Sequence, residues 1–136
     1  MKRRGVKVTA QRHDYDCGIA ALSMLLREPY GDVAALVREA VEPRKLRRRG
    51  MTIGDVQRAA AWFGAELRPV WRRRGYLEDY HSGILGMIGG AMDKAGHWVV
   101  LKAGAVVDPD GGEVWALEDY TARHKCRSTV LLVEVE

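Results

Sequence analysis

Four residues carry groups of the types that acyl transfer requires: Gln11, Cys17, His97 and Asp108. Cys17 stands in Gln11-Arg12-His13-Asp14-Tyr15-Asp16-Cys17-Gly18-Ile19-Ala20-Ala21-Leu22, at the mouth of an apolar helical stretch. A thiol attacks a carbonyl as thiolate, and free cysteine is mostly thiol at neutral pH. The N-terminus of a helix favours the thiolate through its dipole and its unpaired N–H groups. His97 comes far downstream, in Gly96-His97-Trp98-Val99-Val100-Leu101, and Asp108 follows in Val106-Val107-Asp108-Pro109. An imidazole near the thiol takes its proton. A carboxylate on the second ring nitrogen fixes tautomer and orientation. The Gln11 amide, with the Cys17 backbone N–H, would donate to the developing oxyanion.

Each of these residues has a plainer reading when taken singly. A buried cysteine at a helix start is usually packing. A histidine in a strand-like run is often only hydrogen-bonded structure. Asp108 before Pro109 reads as a turn. The conjunction of all four in this order is what points to a nucleophile site.

Order and chemistry match a papain-like cysteine site. The Asp-Cys-Gly core of segment 11–26 resembles the start of the double-glycine leader peptidase family. These bacteriocin-processing cysteine peptidases have a papain-like fold and often form the N-terminal domain of peptide-exporting ABC transporters. The segment Gly50-Met51-Thr52-Ile53-Gly54-Asp55-Val56-Gln57-Arg58 to Gly64 is similar to the family's second helical stretch. The segments around His97 and Asp108 look like its histidine and aspartate motifs. The resemblance covers about residues 6–135. It implies Cys17 as nucleophile, His97 as base, Asp108 as orienting acid and Gln11 as oxyanion donor. It also implies cleavage after small residues such as a glycine pair, a leader peptide as substrate and a separate transporter as a partner. Segment 82–88 departs from the family in lacking a proline-led strand. The chain ends at Glu136 with no transporter sequence after it, so a stand-alone peptidase domain is expected.

Composition sets outer bounds. A length of 136 residues suits one hydrophobic core, and one domain over 1–136 is expected. No apolar run approaches the ~20 residues that span a bilayer. The basic start lacks the pattern of a secretory signal, so a cytoplasmic protein is expected. Two cysteines do not make a disulfide scaffold, and Cys126 is read as a spectator rather than a redox lock for Cys17. The histidines show no zinc-ligand spacing with the cysteines, and neither metal nor cofactor is expected. Net charge is +4, with arginines bunched over 44–49 and 72–74. Such runs bind phosphates, serve as solvated loop ends or suit an acidic peptide. Nucleic-acid binding is disfavoured, because no recognition module accompanies them. Other readings stay open: transglutamination, deamidation or N-acyl transfer by the same residues, a peptide-binding module that does not cut, or a basic structural protein.

The elements that must position these groups follow from periodicity. A short edge strand is expected over 6–9. A helix over 17–27 presents Ile19, Leu22, Leu25 and Leu26 on one face, with Asp16 as its cap. Asp32 is expected to cap a second helix to about Val41, ended by Pro43. Thr52, with Asp55 three residues on, starts a helix over 53–63, and Gly64 stops it. Trp62 and Phe63 are expected in the core, as is Trp98. Strands are expected over 66–71, 84–88, 98–102, 105–107 and 130–136, with turns at Ala103-Gly104 and 110–112. Helices first and an antiparallel sheet afterwards make an α+β fold of the papain-like kind. Gly89-Gly90 is read as a loop before the histidine strand rather than a cleavage point, and Gly111-Gly112 as a turn.

Overall fold

The computed structural model describes residues 16–89 and 96–135. The expected strand over 6–9, Tyr15 and Gln11 lie outside them. Four helices come first: α1 (Cys17–Leu26), α2 (Tyr30–Ala40), α3 (Pro43–Arg49) and α4 (Ile53–Trp62). Strands follow: β1 (Leu67–Trp71), β2 (Ser82–Ile88), β3 (His97–Lys102), β4 (Ala105–Asp108) and β5 (Glu113–Ala116). Helix α5 (Leu117–His124) and strand β6 (Arg127–Glu134) close the chain. The strands form one sheet in the order β1-β6-β2-β3-β4-β5, antiparallel throughout. This is the expected α+β arrangement, with four helices before the sheet and α5 between β5 and β6.

Both faces of the sheet are covered. On one face, Ile84, Trp98, Val100, Val107, Val130 and Leu132 pack with Ile19, Leu22, Val33, Val37 and Val56 of the helices. On the other, Leu85, Met87, Val99, Leu101, Val106 and Leu131 pack with Tyr76 and Tyr120. Successive strand residues point to opposite faces, so β2, β3 and β6 read as nearly continuous apolar runs. Gly83 is required where β2 crosses β6. A Cβ there would lie 2.4 Å from the Leu132 carbonyl oxygen.

Local chemistry explains several element ends. Thr52 Oγ1 accepts from the Asp55 N–H at 3.1 Å, and Asp55 Oδ2 accepts from the Thr52 N–H at 3.0 Å. The capping box forms with Asp in place of Glu or Gln. Gly64, at φ 83°, ends α4, and the Ala65 N–H bonds the Ala60 carbonyl. The β3–β4 turn places Ala103 and Gly104 at φ 51° and 79°, the left-handed pair of a tight hairpin.

Three expectations are corrected. Asp16 precedes α1 but makes no side-chain cap. Its carboxylate is buried and accepts the Tyr30 hydroxyl instead, so a contact between helices displaces the local one. Asp32 lies inside the first turn of α2, which begins two residues earlier after Pro29. Trp62 is 74% exposed, because it lies on the face of α4 turned away from the buried Val56, Ala59 and Ala60. Phe63 packs partly against the core and Trp98 is buried in it. Helices α3 and α5 and strand β5 were not read from the sequence.

Candidate active site

Cys17 is the first residue of α1 and is buried. Its Sγ lies 3.5 Å from the Trp98 backbone N, next to His97. α1 is held against β3 through a short relay: the Trp98 indole donates to the Met51 carbonyl at 2.9 Å. Met51 in turn leaves no room for a side chain at Gly18, where a Cβ would sit 2.9 Å from its sulfur. The glycine after Cys17 therefore serves close packing.

His97 begins β3. The hydrogen bond between its Nε2 and Asp108 Oδ1 spans 2.6 Å. With Nε2 engaged, Nδ1 is the ring nitrogen left for Cys17, whose sulfur contributes both a hydrogen bond and a charge to the imidazole. Burial disfavours the charged ring. The bonds and charges of Asp108 and Cys17 outweigh it and push His97 up to about 10. An imidazole with that value is protonated at neutral pH, the state that pairs with a thiolate.

Asp108 ends β4 and is 5% exposed. Burial opposes its charge, but the His97 hydrogen bond and charge, the Tyr120 hydroxyl and the Asp110 N–H hold the carboxyl below the usual carboxylate range. Oδ1 accepts from the Asp110 N–H at 2.9 Å, and Oδ2 accepts from the Tyr120 hydroxyl at 2.7 Å. Asp108 therefore does more than open a turn before Pro109.

The structure brings Cys17, His97 and Asp108 together, while Gln11 lies outside the described residues. Tyr120 was missed by sequence reasoning. Its signal was faint: Leu117, Tyr120 and His124 share one face of a helix only eight residues long. Cys126 packs in the cluster on the opposite sheet face from Cys17, and both thiols are free. Among the described residues, no group of three or more His, Cys, Asp or Glu side chains could hold a metal. A cavity opens at the far end of α1, between Met24, Tyr30, Val100 and Lys102. It is lined by none of Cys17, His97 and Asp108.

A family model, described as Peptidase C39 family, matches residues 5–114. The chain belongs to the Peptidase C39 family. The C39 chain is thus a cysteine peptidase, a hydrolase. Solved structures share its fold. One is a double glycine motif protease from an AMS/PCAT transporter, in complex with its leader peptide. It is 22% identical, with TM-score 0.65, and the match covers 97% of this chain and 92% of that one. Another is the peptidase domain of Streptococcus ComA, a bi-functional ABC transporter of a quorum-sensing pathway. It is 18% identical, with TM-score 0.65, over 94% and 98% of the two chains. The peptidase domain of Streptococcus mutans ComA is 21% identical, with TM-score 0.63, over 96% and 99%. No curated protein matches the C39 chain. Among its described residues, no helix is long and apolar enough to cross a membrane.

Proposed function

We propose that this peptidase hydrolyses a peptide bond after small residues such as a glycine pair, with Cys17, His97 and Asp108 as its triad and Gln11 as an oxyanion donor. The observation that carries the reading is the His97 ring, bonded through Nε2 to Asp108, one residue before Trp98, whose backbone N lies 3.5 Å from Cys17 Sγ. Cys17 Sγ attacks the scissile carbonyl carbon, and the carbon–oxygen π pair moves onto oxygen. The Cys17 N–H and the Gln11 amide donate to that oxyanion. The intermediate collapses, the carbon–nitrogen bond breaks and the imidazolium of His97 protonates the leaving amine. His97 then takes a proton from water, which attacks the thioester and releases the acid and the thiolate. Asp108 keeps the ring in one orientation throughout and stays ionised.

The substrate we propose is the leader of an exported peptide, and the partner we propose is a transporter. The solved relatives named above support this, since one is a protease from a transporter that holds a leader peptide and another is the peptidase domain of an ABC transporter. We place the enzyme in the cytoplasm as a single domain over 1–136. Two free thiols in separate clusters suit a reducing compartment.

The test is cleavage of a synthetic peptide carrying an internal Gly-Gly, read by mass spectrometry. Wild type is expected to cut after the second glycine. Cys17→Ala is expected to be inactive with an unchanged circular dichroism spectrum. A gain of one mass unit or a crosslink, in place of two fragments, would make the enzyme a deamidase or transferase of the same fold. Full activity in Cys17→Ala would sink the reading.

A further inference from the structure

We propose that Tyr120 is a positioning residue of this active site, whose hydroxyl locks the Asp108 carboxylate in the rotamer that serves His97. The proposal rests on the peptidase reading above and extends the site one residue beyond Asp108.

Both carboxylate oxygens of Asp108 are assigned. Oδ1 takes His97 Nε2 at 2.6 Å and the Asp110 N–H at 2.9 Å. Oδ2 takes the Tyr120 hydroxyl at 2.7 Å. Without that donor, a buried anionic oxygen would lose a charge-assisted bond, which is among the stronger kinds in a protein. The carboxylate would also be freer to turn away from the imidazole.

The tyrosine is built to hold still. It is fully buried, with 0% exposure. His124 stacks on its ring at 4.4 Å between centroids, and Trp115 meets it edge-on at 6.2 Å. Burial and the neighbouring Asp108 charge push its hydroxyl far above the ordinary tyrosine value, so it remains a donor at every working pH. α5 is only eight residues long, and isolated helices of that length are marginal. Its packing against β4 and β5 must therefore hold the hydroxyl in place. Tyr120 also lies past residue 114, where the family model's match ends.

The titratable groups facing Asp108 are His97 from β3, Tyr120 from α5 and Cys126 just after α5, with the Asp110 backbone beside it. Tyr120→Phe removes one bond that favours the charged carboxyl and keeps the packed ring. Asp108 then takes up its proton at a higher pH. Below that pH, His97 loses its anionic partner, and Cys17 loses its activated state.

The experiment is the pH profile of Cys17 alkylation by iodoacetamide in wild type, Tyr120→Phe and His124→Ala, each with a thermal unfolding midpoint. It needs no peptide substrate. In Tyr120→Phe the acid limb is expected to move to higher pH. On a cleaved peptide, kcat should fall roughly tenfold or more while KM changes little, the effect expected for a bond to a charged group. His124→Ala loses the stacking and keeps the hydroxyl. It should lower the midpoint and move the acid limb less than Tyr120→Phe does, because the hydroxyl is still there to donate. In an Asp108→Asn background, Tyr120→Phe should add little further loss, because it acts through the carboxylate. An acid limb unmoved in Tyr120→Phe, or a full additive loss beside Asp108→Asn, makes Tyr120 a core residue and overturns the proposal. If wild-type Cys17 reacts no faster than Cys126, the peptidase mechanism itself fails, and the role of Tyr120 falls with it.

Discussion

The proton shared by Cys17 and His97 governs the chemistry proposed here. Hydrogen bonds and charges from Asp108 and Cys17 raise His97 to about 10, above its ordinary value of 6.5. As pH rises through that value, the imidazolium deprotonates and the leaving amine loses its acid. The alkaline limb of kcat is therefore expected well above the histidine range, and Asp108→Asn should bring it down. A pH–rate profile of both proteins checks this. Stability carries the same sign. A raised pKa contributes stability that is fully present below about 6.5 and lost as pH climbs through about 10. Asp108, held low, contributes stability that is lost as pH falls through its folded value. Gln11→Ala is expected to lower kcat by about 100- to 1000-fold with KM little changed, the usual cost of one oxyanion donor. Steady-state kinetics would measure it, and a loss confined to KM would remove Gln11 from that role.

At the scale of elements, the α4 start is the most heavily tied. Asp55 is 6% exposed and meets Arg49 at 3.0 Å, Arg58 at 2.6 Å and the Thr52 N–H. Burial resists its charge, but the bonds from Thr52 and Arg49 and the Arg49 charge win and hold the carboxyl low. Thr52→Ala should cost about 1 kcal/mol, the typical value of a helix cap. Asp55→Ala should cost more, on the order of 2–3 kcal/mol, because it also strands Arg49 beside a buried site. Urea unfolding of both variants decides the order. Gly83→Ala tests the sheet. Its Cβ would meet backbone, which cannot rotate away, so β2 and β6 must separate. The expected loss is about 1–3 kcal/mol, as for other overpacked sites. These ends were legible because a capping box and a positive-φ glycine are local. α3, the arginine-rich Pro43–Arg49, was not, because only Leu46 anchors it and charge masks its period. β5 and α5 are four and eight residues long, too short for a period to stand out.

Across the whole molecule, the sheet separates two apolar layers and the two thiols. Cys17 belongs to the helical layer and Cys126 to the layer of α5. Cys126→Ser is therefore expected to leave cleavage and its response to oxidants unchanged, as assayed with and without reductant. A disulfide to Cys17 under mild oxidation would contradict the arrangement. Trp62→Ser should change stability by no more than about 0.5 kcal/mol, since the side chain is exposed. The same separation explains how the site is assembled. His97 and Asp108 share the strand alternation of Val99 and Val106, which face the α5 layer. Cys17 comes from the other layer and reaches them at the first residue of β3.

Residue type and local pattern were enough to single out Cys17, His97 and Asp108 as candidates. They also marked the α4 cap, the Gly64 stop and the order of helices before strands, because each is written within a few neighbouring residues. The tertiary structure alone decided which groups meet. Asp16 left the cap it could have made for the Tyr30 hydroxyl, because α2 folds back over α1. Tyr120 reached Asp108 because a short helix docks under the β4–β5 hairpin, a contact whose two partners show no mutual spacing in the chain. Periodicity records which side of an element is buried, and it holds no record of what that side is buried against.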